Sequence, residues 1–272
     1  MPIDGLLELA ASSPENTGRK YGKSGYTVFM RFSSHSSDGK HTSVSPFPGT
    51  GTSRADWMFQ TVSIPADEVQ LTGELIIPAH ATGLVLFAHG SGSSRRSPRN
   101  QAVARTLQEA GVATLLFDLL TRNEEVEEAD TGHLRFNIGL LALRLVHATR
   151  WATSRASTQH LGLGYFGSST GAAAALMAAS ELGPLIQAVV SRGGRPDLAG
   201  DFLDRVHAPT LLIVGGADDR VIELNDEAYA RLSCKKQLVT VPDATHLFAE
   251  PGALEKVAAL AAAWFQRHLK SR

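Results

Sequence analysis

From residue 57 the chain carries two alternating kinds of pattern. In FQTVSI (59–64) and VQLTGELIIP (69–78) apolar and polar positions alternate, the period of a strand with one buried face, and PADE between them marks a hairpin turn. GLVLFAH (83–89), VATLLFD (112–118), HLGLGYF (160–166), IQAVVS (186–191), PTLLIVG (209–215) and KQLVTV (236–241) are short, nearly continuous apolar runs. Such runs are typical of strands covered on both faces. Between them lie segments with helical spacing: RNQAVARTLQEAG, FNIGLLALRLVHATRWA, TGAAAALMAASEL, DLAGDFLDRV and NDEAYARL, with ALEKVAALAAAWFQRHLK last. Strands alternating with helices predict an α/β fold. Its sheet is doubly wound and mostly parallel, with helices on both faces and an N-terminal antiparallel hairpin. Ligands of such sheets bind at the carboxyl ends of the strands, so the residues just after each strand carry the chemistry.

Residues 1–55 read differently. SSHSSDGKHTSVSPFPGTGTS (33–53) is rich in serine, threonine, glycine and proline and has no apolar period. It buries too little apolar surface to offset its ordering entropy, which predicts a flexible or loosely docked extension ahead of one folded domain at 56–272. RKYGKSG (19–25) resembles a phosphate loop but has the wrong glycine spacing and no preceding strand.

One stretch, HLGLGYFGSSTGAAAA (160–175), fits two motifs. Gly162, Gly164 and Gly167 spell G-x-G-x-x-G, the dinucleotide fingerprint. That motif needs its glycines in the turn after a strand and an acid at the end of the next strand. Here Gly162 and Gly164 fall inside the strand run, and the next strand ends in Ser191 and Arg192. Gly167, Ser169 and Gly171 spell G-x-S-x-G, the nucleophile elbow, and this reading has a strand before it and a helix after it. The helix N-terminus would aim free N–H groups at a developing oxyanion. Ser168 is the neighbouring hydroxyl, one residue short of the apex.

A serine needs a base, and the base needs an acid to orient it. The expected chain order is serine, acid, histidine. PTLLIVGGADDRVI places Asp218 after one strand, with Asp219 as its adjacent alternative, and KQLVTVPDATHLF places His246 after the next. Asp243 reads as a turn residue. The oxyanion donors are expected to be the backbone N–H groups of Ser91, in HGSG after the first parallel strand, and of Thr170. His89 is read as a brace for that loop. Arginines gather on strand-end loops: Arg95, Arg96, Arg99, Arg192, Arg195 and Arg220. The guanidinium fork suits carboxylate or phosphate, and Arg96 and Arg192 are the expected holders of an anionic group on the substrate.

Composition narrows the remaining classes. The formal net charge is −1, which gives no reason to expect nucleic acid or an anionic membrane as partner. Cys234 is the single cysteine and cannot form an intrachain disulfide. No run approaches the length of a membrane span, and MPIDGLLELA lacks a basic leader, so a cytoplasmic location is expected. The 10 histidines form no H-E-x-x-H or tight cluster, so neither metal nor cofactor is expected. A homo-oligomer is compatible with all of this.

Taken together, LVLFAHGSGSSRRSPRN, LLFDLLTRNEEVEE, GYFGSSTGAAAAL, VVSRGGRPDLA, LLIVGGADDRV and DATHLFAEPGALE resemble the dienelactone hydrolase-like proteins of the α/β-hydrolase superfamily. The resemblance spans roughly residues 57 to 270. It is nearest the bacterial branch that also occurs fused to phosphoribosyltransferase domains, although residues 1–55 are too short and polar to be one. It implies the α/β-hydrolase fold and a carboxylesterase-like serine hydrolase. Its substrate would be a small-molecule ester with a small or medium acyl group. Thioester, lactone or peptide cleavage on the same triad, or a non-catalytic binding domain, are the alternatives. The name-giving enzymes carry a cysteine at the elbow where this chain has Ser169, which weakens dienelactone itself as the substrate.

Overall fold

The computed structural model describes residues 56–272; the extension expected at 1–55 lies outside the described residues. One eight-stranded sheet organises them. Its strands are β1 (Met58–Ala66), β2 (Val69–Ile77), β3 (Gly83–Ala88), β4 (Ala113–Phe117), β5 (Gly162–Ser168), β6 (Ile186–Arg192), β7 (Thr210–Gly215) and β8 (Lys236–Val241). Their spatial order is β1-β2-β4-β3-β5-β6-β7-β8. β1 pairs antiparallel with β2, and β2 antiparallel with β4; every other pair is parallel. This is the doubly wound, mostly parallel sheet with an N-terminal antiparallel hairpin expected from the apolar runs, and the α/β-hydrolase fold that the resemblance implies. The winding direction reverses between β4 and β5, so the carboxyl ends of β3 and β5 open onto the switch point where ligands bind.

Burial follows from place in the sheet. Every residue of β3, β4, β5 and β7 is buried, whereas β1, at the edge, is buried only at alternate positions near its end. Helices α1 (Pro98–Glu109) and α6 (Ala253–His268) cover one face. Helices α3 (Ile138–Thr153), α4 (Thr170–Leu182) and α5 (Asp219–Arg231) cover the other. Two features depart from the periodicity reading. RNEEVEEADT forms a helix, α2 (Arg122–Thr131), although it has no apolar stripe. A capping box between Thr121 and Glu124 starts it, acids occupy the positive end of its dipole, and left-handed Gly132 stops it. Conversely, Pro196–Arg205 is 3-10 helix rather than α-helix, broken at Gly200, where φ is 53°.

The α3–α4 face buttresses the strand that carries the elbow. Tyr165 of β5 is fully buried, with its hydroxyl 2.6 Å from Thr149 of α3. Thr149 spends its own proton on the Leu145 carbonyl, 2.8 Å away, so Tyr165 is the donor between the two. Removing either partner therefore has unequal effects. Thr149→Val strands a phenol O–H in the core and is expected to cost about 1–3 kcal/mol, whereas Tyr165→Phe leaves Thr149 satisfied and costs about 1 kcal/mol. Urea midpoints of the two variants test this order; a more stable Thr149→Val would mean the phenol finds another acceptor.

Candidate active site

β5 ends at Ser168, which pairs in register with Arg192 at the end of β6. The next residue, Ser169, has φ 51° and ψ −124°, and α4 begins at Thr170. This left-handed backbone is costly for a residue with a Cβ. It is held from both sides. The Ser169 N–H reaches the Arg192 carbonyl at 3.4 Å, and the Ser169 carbonyl accepts from Ala172 N–H at 3.1 Å and from Arg195 N–H at 3.0 Å. The flanking glycines are required by close approach. A Cβ on Gly167 would lie 2.4 Å from the Ala172 Cα, and one on Gly171 would lie 2.2 Å from the Ala88 carbonyl oxygen. Ser168 keeps strand geometry and is buried. The rival glycine pattern has no turn to occupy, because Gly162 and Gly164 are strand residues.

His246 stands in the loop after β8, and its Nδ1 is 2.8 Å from Asp218 Oδ2. A carboxylate only accepts, so Nδ1 carries the proton and Nε2 is left to take one. Asp219 is exposed as the first residue of α5 and makes no bond to His246. The two loops are stitched together: Gly216 N–H bonds the Val241 carbonyl at 2.8 Å, and Ala217 N–H bonds the Ala244 carbonyl at 2.9 Å. Asp243, with φ 59°, is a turn residue of the histidine loop. Ser169 and His246 line one cleft of about 180 Å³, together with Gly90, Ser91 and Arg192.

Of the two expected oxyanion donors, Ser91 lines this cleft and Thr170 directly follows Ser169 behind it. Thr170 N–H heads α4, where no intrahelical acceptor exists. Ser91 N–H is turned toward the same helix end and donates to Thr170 Oγ1 at 3.1 Å. His89 does brace this loop. Its Nε2 accepts from Leu119 N–H at 3.0 Å, which puts the proton on Nδ1, 3.0 Å from the Gly90 carbonyl. Burial lowers the His89 pKa below its ordinary 6.5.

The clustered arginines separate by partner. Arg95 bonds Asp118, Arg195 bonds Asp197, and Arg220 bonds Glu223. Arg96 is exposed and lies outside the cleft; the wall position expected for it belongs to Arg99. Arg192 is 7% exposed and donates through Nη2 to Asn100 Oδ1 at 3.3 Å. Its Nε and Nη1, and the Nε of Arg99, are buried without a hydrogen-bond partner. Burial, and then the nearby charge of Arg99, push the Arg192 pKa down to about 10, so it stays cationic at neutral pH.

A larger cavity, about 450 Å³, adjoins the cleft and shares Gly90, Ser91 and Ser93 with it. Leu119, Leu120, Ala129 and Leu141 form its apolar wall. Its other wall is α2 and the segment after it, fixed by ions. Glu128 accepts from the backbone N–H of Leu134 at 2.6 Å and of Arg135 at 3.1 Å and pairs with the Arg135 guanidinium, while Glu124 bonds Arg144 at 2.9 Å. Glu125 lines this cavity, its pKa raised by burial and by Asp118. Cys234 is half-buried and hydrogen-bonded to Thr210, and burial raises its pKa. Among the described residues there is no cluster of side chains suited to a metal, and no helix long and apolar enough to cross a membrane.

Known proteins resemble this arrangement. The sequence model of the Dienelactone hydrolase family matches residues 71–270. A Mycobacterium tuberculosis protein named "Putative phosphoribosyl transferase" is 55% identical over 210 residues, 77% of this chain and 46% of that protein. The chain thus spans about half the length of the curated relatives it matches. The crystal structure of a dienelactone hydrolase from Anabaena variabilis is 59% identical, covers 79% of this chain and 100% of its own, and superposes with a TM-score of 0.78. Est1E from Butyrivibrio proteoclasticus, at 19% identity, covers 76% of this chain and 98% of its own and shares the fold with a TM-score of 0.64.

The neutral His89 makes the loop after β3 sensitive to acid. Above pH 6.5 the ring is neutral whether the chain is folded or unfolded. Below it the unfolded chain takes up a proton that the folded ring resists, so stability is lost as pH falls, by at most about 1.4 kcal/mol per pH unit. His89→Gln is expected to lose less stability than the wild type between pH 6.5 and 5. Chemical denaturation across that range tests this; parallel slopes would remove His89 as the source.

Proposed function

The chain belongs to the dienelactone hydrolase family, and we propose that it is a serine hydrolase cleaving carboxylic esters of small or medium acyl groups. One observation carries the reading: Ser169, strained at the head of α4, shares its cleft with His246, whose ring is bonded to Asp218. In this reading Nε2 of His246 takes the proton as Ser169 Oγ attacks the ester carbonyl. Asp218 holds the ring and stabilises its charged form. The carbonyl oxygen becomes an oxyanion beside the N–H groups of Thr170 and Ser91. Each such donor contributes about 3–4 kcal/mol in comparable sites. Because Ser91 N–H rests on Thr170 Oγ1, that bond must yield to the oxyanion as the substrate enters. The alcohol leaves with the proton from His246, and water then releases the acid from the acyl-serine.

The apolar wall of the larger cavity fits an acyl group of modest length, and α2 is short enough to leave that cavity open. A serine at the elbow supports plain ester chemistry rather than the cysteine chemistry of the name-giving enzymes. The cytoplasm is the location proposed for it.

Fluorophosphonate labelling followed by peptide mapping tests the nucleophile. The label is expected on the peptide containing Ser169 and is expected to vanish in Ser169→Ala. Asp218→Asn should keep the fold and lower kcat on a short-chain ester by about 10⁴-fold. A folded wild type that takes no label, or a label that persists in Ser169→Ala, would remove Ser169 as the nucleophile.

A further inference from the structure

Buried charges in proteins are ordinarily paired, because an isolated ion loses its hydration without compensation. The other interior arginines of this domain obey the rule: Arg95 faces Asp118, and Arg144 faces Glu124. Arg192 does not. Its protein surroundings are the Asn100 amide oxygen, the Phe248 ring 6.0 Å from its carbon centre, and a second cation, Arg99. Two of its three nitrogens have no acceptor, nor has Arg99 Nε. No carboxylate lines the cleft that the two arginines share with Ser169. The N-cap of α1, Ser97, and Arg99 in its first turn are on the same wall, and that turn contains no acid, so the positive end of the helix adds to the charge of the cleft. Two guanidinium groups and a helix N-terminus make a surplus of at least two positive charges beside the candidate nucleophile.

We propose that the Arg99–Arg192 pair is the subsite for a phosphoryl group carried by the ester substrate. The charge decides the class. A carboxylate would neutralise one guanidinium and leave the other unpaired beside it, whereas a phosphate monoester, near −2 at neutral pH, matches both and has three oxygens to accept from the orphaned N–H groups. Arg192 lies one strand over from the elbow, level with Ser168, so a phosphoryl group there sits within a small molecule's length of the scissile bond. The larger apolar cavity then takes the uncharged end of the same substrate. This deepens the ester-hydrolase reading and rests on it for the word substrate; the binding of phosphate does not.

The first readout is therefore independent of catalysis. Inorganic phosphate is titrated against the thermal midpoint of the wild type, Ser169→Ala, Arg192→Gln and Arg99→Gln. Phosphate is expected to stabilise the wild type and Ser169→Ala alike and to bind each arginine variant at least about tenfold more weakly, the scale of losing a charged hydrogen-bonding partner. Should Arg192→Gln fail to fold, Arg99→Gln on the outer wall carries the comparison. No stabilisation of the folded wild type, or equal stabilisation of the arginine variants, would overturn the site. Acetate or succinate stabilising as strongly as phosphate at matched ionic strength would overturn the phosphoryl assignment.

The second readout separates a substrate group from free phosphate. Monobutyrylglycerol and its phosphate monoester are compared by kcat/KM. The wild type is expected to prefer the phosphorylated ester at least about tenfold, and Arg99→Gln to bring the ratio toward one. Phosphate binding without that preference would overturn the substrate role. Loss of all ester hydrolysis, with phosphate binding intact, would instead overturn the reading of Ser169 and leave the subsite standing.

Discussion

The left-handed backbone at Ser169 is the constraint on which the rest of the site depends. A serine held at φ 51° puts its hydroxyl at the apex of a turn, but only if strand β5 and helix α4 come together without side chains between them. Gly167 lets α4 lie against its own strand, and Gly171 lets it lie against the end of β3. Main-chain bonds to Arg192 and Arg195 then tie the same turn to β6. Three adjacent strands are thus committed to one position of one residue. The sheet core, with β3 and β5 wholly buried, supplies the rigidity that keeps this strained turn from relaxing.

Around that turn the molecule separates two electrostatic regimes. The cleft beside Ser169 is positive and has no acid in its lining, the Asp218 carboxylate standing behind the His246 ring. The adjoining cavity has two acids in its wall, Glu125 and Glu128, of which Glu128 is occupied by Arg135 and backbone N–H groups. His89, placed between the two, is neutral and uses both ring nitrogens on backbone groups, so it shapes the loop without adding charge. An anionic ligand therefore meets a positive field in the cleft beside Ser169, whereas the adjoining cavity carries Glu125 and Glu128 in its wall.

Most of the fold was legible because strand burial writes itself as apolar runs. The positions of Ser169, Asp218 and His246 were legible because each lies in the short loop or turn after such a run. Helix α2 was not, since its stability comes from caps and ion pairs and its sequence carries no apolar stripe. The arginines show the same limit at finer grain. In SSRRSPRN nothing distinguishes Arg96 from Arg99 by composition. The helix start at Pro98 turns Arg99 onto the cleft wall, while Arg96 remains in the exposed turn before it. Arg192 could be singled out because it is a lone charge closing an otherwise apolar strand. That it lacks a counter-ion is a fact of packing, visible only in three dimensions.

The ionic attachment of α2 has a consequence for how this domain can change over evolutionary time. The helix contributes almost nothing to either apolar core, so its tie to folding runs mainly through Glu124, which pairs with buried Arg144, and through buried Glu128. Replacements on the exposed positions of α2 that keep Glu124 and Glu128 can recast the mouth of the cavity while the sheet and Arg192 stay as they are. The α2 wall of the cavity and the core of the sheet are thus built by different parts of the chain, joined at the Glu124–Arg144 pair.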